Sequence, residues 1–102
     1  MTHGFEREAL EEYKEAAAWY ESQRQGLGGE FVSAVEAAIQ DVTMDPGRFQ
    51  PVGDNLRILR MKRFPYYLIF RWLEDRQHIT IFVVMHRRRR PGYWRHRLAG
   101  EG

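Results

Sequence analysis

Apolar residues recur at helical spacing through the first half of this chain and gather into short continuous runs in the second. From Phe5 onward, Ala9, Leu10, Tyr13, Ala16, Ala17 and Tyr20 fall three and four apart and predict one amphipathic helix. Glu8, Glu11, Glu12 and Glu15 take the remaining positions and read as a solvated face. Trp19 and Tyr20 close the helix as two aromatic core anchors. Gln25-Gly26-Leu27-Gly28-Gly29 ends it, since glycine supplies the left-handed backbone of a C-cap, and Leu27 is expected to plug the turn. Phe31, Val32, Val35, Ala38, Ile39 and Val42 then predict a second helix, which Asp45-Pro46-Gly47 stops. So short a connection makes the pair an antiparallel hairpin.

The pattern changes after Asn55. The first four residues carry no pattern, and Arg48 to Asn55, with Pro51 and Gly53, reads as an irregular connection. Leu56 to Phe64 is a strand with apolar residues early and cations late on both faces, so one end should be buried and the other exposed. Pro65 interrupts, Tyr66 to Leu73 is a second strand, and Glu74 to Gln77 turns the chain into a third. That third strand, Ile79 to Met85, is apolar without alternation apart from Thr80, which predicts burial on both faces at the centre of a sheet. The tail Tyr93 to Leu98 reads as a helical turn or an extended arm, fraying from Ala99 onward.

Two helices followed by three strands predict a single α+β domain over residues 1–102. The N-terminal antiparallel helical hairpin would pack on one face of a small antiparallel sheet of about three strands. The other face would be less well covered, and there Arg60 and Lys62 could line up beside Arg87 to Arg90.

Composition adds exclusions. The chain has no cysteine, so disulfides, cysteine-ligated zinc and thiol nucleophiles drop out. Its histidines, His3, His78, His86 and His96, lack metal-ligand spacing. No apolar run approaches the roughly 18 residues of a membrane span, and no signal-peptide pattern opens the chain, so a cytoplasmic protein is expected. Charge is segregated. Residues 1–45 hold ten acidic and three basic residues, net −7, and residues 46–102 hold thirteen basic and four acidic, net +9. Either the C-terminal half meets something anionic, nucleic acid or an acidic protein segment, or the acidic helices neutralise a basic sheet.

The residues able to carry chemistry are therefore Arg60, Lys62, Arg63, His86, Arg87, Arg88, Arg89, Arg90, Tyr93 and Trp94. Arginines neutralise phosphates, and tyrosine and tryptophan can stack on bases. The same set could cleave RNA without a metal or cofactor, His86 or Tyr93 moving protons while Arg87 and Arg60 stabilise the pentacoordinate phosphorus. Each has a plainer reading: His86 as a structural hydrogen-bonding residue, the arginine run as a solvated or protein-bound surface, Tyr93 and Trp94 folded back to cap the core. Tyr66 and Tyr67 read as strand residues packing on opposite faces.

Ala9-Leu10-Glu11-Glu12, Ala18-Trp19-Tyr20-Glu21, Gly26-Leu27-Gly28, Arg63-Phe64-Pro65-Tyr66 and His86-Arg87 followed by Pro91-Gly92-Tyr93-Trp94 and Arg97 together resemble the RelE/ParE toxin superfamily, closest to its plasmid-stabilisation branch. The resemblance spans about residues 5–97. It implies a type II toxin–antitoxin toxin, held inactive in a hetero-oligomer by a cognate antitoxin whose disordered segment wraps it. It also implies one of two targets. ParE-like members inhibit DNA gyrase, and RelE-like members cut mRNA on the ribosome. Arg87 and Tyr93 match the RelE pattern, Arg60 and Lys62 more loosely. Tyr67 stands where RelE-like toxins carry an arginine, and loss of such a transition-state cation typically lowers rate by about 10² to 10³. The sequence thus favours gyrase inhibition, with ribosome-dependent cleavage as the alternative and an inactive, merely binding relative as a third reading.

Overall fold

The computed structural model describes residues 1–99 of the chain, and the expected fraying beyond Ala99 lies outside them. Two helices pack on one face of a mixed five-stranded sheet. In chain order the elements are β1 (Thr2–Phe5), α1 (Arg7–Gln23), α2 (Leu27–Met44), β2 (Gln50–Gly53), β3 (Leu56–Arg60), β4 (Tyr66–Leu73), β5 (His78–His86) and the short α3 (His96–Ala99). Strand order is β1-β5-β4-β3-β2. The sheet is therefore larger than the three strands expected. β2 lies in the stretch read as irregular and pairs antiparallel with β3, while the patternless N-terminus forms β1, parallel to β5.

The helical hairpin forms as the spacing predicts, but its break falls earlier. Arg24 caps α1, Gly26 takes a left-handed φ of 90°, and Gly28 and Gly29 already belong to the first turn of α2. Gly28 is there because the helices nearly touch: a Cβ would sit 2.6 Å from the Ala17 carbonyl oxygen. Glu21 closes the junction by accepting from the Gly26 and Gly28 backbone N–H groups, both at 2.9 Å. Leu27 is half-buried against the core, but Trp19, read as a core anchor, is 57 % exposed and packs edge-on against Tyr20.

β5 is buried on both faces as expected, though β4 is the central strand. Between the pairs Ile69↔Val83 and Phe70↔Ile81, β5 carries one extra residue, Phe82. This bulge shifts the facing of the strand, so that Phe82 and Val83 lie on one face together. Ile79, Ile81 and Val84 face the helices, where Phe31, Val35, Ile39, Leu68 and Phe70 complete the main core. Phe82, Val83 and Met85 face the other side, a second core with Leu56, Ile58, Ile69 and Trp94. Tyr66 packs on the first and Tyr67 on the second, so they do point to opposite faces. The second face is thus partly covered, by the returning C-terminal segment.

Candidate functional site

After Phe5 the chain leaves the sheet, so the later half of β5 pairs with β4 on one side and has no strand on the other. Side chains take that place. Glu12 Oε1 accepts from the Val84 backbone N–H at 3.0 Å, and Arg97 Nη1 donates to the Phe82 carbonyl at 3.1 Å. The two side chains also pair with each other, Arg97 Nη1 to Glu12 Oε1 at 3.0 Å and Nη2 to Oε2 at 2.9 Å. An ion pair thus satisfies a stretch of open sheet edge. Arg97 is 6 % exposed and Glu12 15 %. Arg97 Nε lies 3.0 Å from Glu8 Oε2, a charge contact not aligned as a hydrogen bond.

Tyr93 joins this network, its hydroxyl donating to Glu12 Oε2. Burial first, then the Glu12 carboxylate, push the phenol pKa well above its ordinary value. Its ring holds the Arg89 guanidinium 3.9 Å from the centroid. Trp94 is 3 % exposed and packs edge-on against Phe82, so it belongs to the second core.

His86 ends β5 on the helix side, edge-on to Tyr66. Its Nδ1 accepts from the Arg88 backbone N–H at 3.0 Å. In the neutral ring the remaining nitrogen, Nε2, carries the proton, so His86 offers a donor and no free lone pair. Burial lowers its pKa, and Arg88 and Arg87 lower it further. His86, Tyr93, Arg89 and Tyr66 line a cleft of about 310 Å³ with Trp19 and Glu15.

The other cations gather elsewhere. Arg60, Lys62, Arg63 and Arg87 line a second cleft of about 460 Å³, floored by Pro65 and Tyr67 and free of carboxylates. β3 and the turn before Tyr66 position the first three, and Arg87 is fixed through its backbone N–H on the Pro65 carbonyl, 2.8 Å away. Arg60 lies over the Tyr67 ring and donates to Gln50 at 3.1 Å. Arg63 pairs with Glu30, whose carboxyl it holds below the usual range with help from Arg24. Among the described residues Lys62 and Arg87 make no ion pair. Arg88 and Arg90 are exposed outside both clefts. No cluster of three His, Asp or Glu able to hold a metal occurs among the described residues.

Sequence reasoning missed the pairing of Glu12 with Arg97 and the stacking of exposed Arg89 on Tyr93. Glu12 looked like part of the solvated face; its position beside Ala9 and Tyr13, at the border of the apolar stripe, was the available hint.

The sequence model of the ParE toxin of the type II toxin–antitoxin system parDE matches residues 5–91. The chain belongs to this family, and is the toxin type of such systems. Among solved structures it resembles the isolated E. coli RelE toxin, at a TM-score of 0.64 with 14 % identity over 96 % of each chain. It also resembles the chromosomal ParDE toxin–antitoxin system from P. aeruginosa, at a TM-score of 0.61 with 17 % identity over 84 % of this chain and 95 % of that one. At these identities the likeness is one of fold. No curated protein matches the sequence.

Proposed function

We propose that this toxin arrests growth by binding DNA gyrase, and that a cognate antitoxin holds it inactive. The observation that carries the reading is the separation of the two clefts. Cleaving RNA needs a base, an acid and phosphate-stabilising cations around one phosphorus. Here the proton carriers His86 and Tyr93 line one cleft with a single arginine, Arg89, and have the His86 Nδ1 lone pair and the Tyr93 hydroxyl proton engaged internally, while Arg60, Lys62 and Arg87 line another. A carboxylate-free cleft with unpaired cations is a binding surface, and Tyr67 occupies its floor where a nuclease would place a further arginine.

The family match to ParE toxins supports the same target. Induction in a host lacking the antitoxin tests it: plasmid should relax while mRNA stays intact. Cuts clustered inside translated codons would sink the gyrase reading in favour of ribosome-dependent cleavage, and unimpaired growth with folded protein would count against toxicity.

A further inference from the structure

Seven cations, Arg60, Lys62, Arg63 and Arg87 to Arg90, meet at one end of the sheet. β3 ends at Arg60, β4 begins at Tyr66 and β5 ends at His86, and Tyr66 pairs with His86 across the ladder. The turn carrying Lys62 and Arg63 therefore lies beside the turn carrying Arg87 to Arg90. Backbone N–H groups fix the second turn: Arg87 donates to the Pro65 carbonyl at 2.8 Å, Arg89 to the His86 carbonyl at 3.0 Å, and Arg88 to His86 Nδ1 at 3.0 Å. All seven residues are exposed. Among the described residues Glu30, on Arg63, is the only carboxylate in an ion pair with any of them.

We propose that this end of the sheet is a contact surface for the phosphate backbone of duplex DNA. A protein partner is held by apolar and aromatic anchors at the centre of its interface, where charged residues are depleted. Here the order is reversed. Three aromatic rings lie under guanidinium groups, Tyr67 under Arg60, Phe64 under Arg63 and Tyr93 under Arg89, so a partner meets the cations first. The planar guanidinium matches phosphate in both charge and geometry. A polyanion with no apolar side chain to bury fits such a surface better than an acidic protein does. Turns already fixed by their backbone also lower the ordering cost of binding. The choice of duplex DNA over RNA rests on the gyrase reading, since duplex DNA is what that target holds.

Anisotropy of a short labelled duplex, titrated with the toxin at several salt concentrations, tests the surface directly. Leaving out Arg63, six cations at about −0.9 each predict a slope of log affinity against log salt of about −5. Arg88→Gln with Arg90→Gln should flatten that slope by about 1.8. Arg7→Gln with Arg76→Gln removes the same charge from exposed positions on α1 and in the β4–β5 turn, and should leave the slope unchanged.

A wild-type slope flatter than about −2, or equal flattening by the two pairs of substitutions, would overturn the proposal. Tighter binding of a polyglutamate peptide than of the duplex would overturn it in favour of an acidic protein, and tighter binding of single-stranded RNA in favour of RNA. The titration contains no gyrase, so a toxin that inhibits supercoiling yet ignores the duplex would lose this proposal alone.

Discussion

Arg87 and Arg97 sit on the same C-terminal segment and have opposite physical roles. Arg97 is buried, bidentate on Glu12, and closes the open edge of β5 by bonding the Phe82 carbonyl. Arg87 is exposed, anchored through its backbone, and makes no ion pair among the described residues. An arginine held bidentate on a buried carboxylate holds a fold together; one left without a counter-charge at a rigid position is available to a partner. Under the proposed function, the difference separates the residues that build this toxin from those offered to its target.

Removing each arginine should break the comparison most visibly. Arg97→Ala leaves the Glu12 carboxylate buried without its counter-charge, a loss of about 3 to 5 kcal/mol. Denaturant unfolding should register it, while Arg87→Ala should stay within about 0.5 kcal/mol of wild type. Equal losses would erase the distinction. Tyr93→Phe tests the next member of the network. Losing a hydrogen bond to a charged group should cost about 1.5 to 3 kcal/mol. Gyrase inhibition should survive in the folded variant, whereas a nuclease using the Tyr93 proton would lose cleavage.

Arg87→Ala, stable by the first measurement, should weaken target affinity by about tenfold, or about 1.4 kcal/mol, in a titration against gyrase. Wild-type affinity would remove Arg87 from the contact surface.

His86 should give the smallest effect. Its folded pKa lies below the unfolded value near 6.5, so the unfolded state binds the proton first as pH falls. The neutral ring's contribution is complete above about pH 6.5 and is lost as pH drops through the folded pKa. Replacing it in His86→Gln should flatten the decline of stability below that pH, and an unchanged slope would show that other groups dominate.

Much of the fold was legible because hydrophobic spacing reports burial. The two helices, β4 and β5 followed from that spacing alone. β1 was not legible: Thr2, His3 and Gly4 show no strand pattern, and a parallel partner in β5 lies far along the chain. β2 was masked by Pro51 and Gly53, which signal a loop unless a neighbouring strand supplies the ladder. Of the candidate site, the cationic set was visible as composition, but its division into two clefts was not. That division depends on the β5 bulge and on Glu12 meeting Arg97, 85 residues away, a pairing a single sequence does not display. The charge segregation, too, has a mixed outcome: Glu8, Glu12 and Glu30 pair with Arg97 and Arg63, while Lys62 and Arg87 remain outside those pairs.

The most direct test is supercoiling of relaxed plasmid by purified gyrase in the presence of the purified toxin. Wild type and Tyr93→Phe should inhibit the reaction, and Arg87→Ala should need about tenfold more protein to do so. Undiminished supercoiling with folded wild-type toxin, alongside codon-clustered mRNA cleavage on ribosomes, would contradict a protein that binds its target without chemistry.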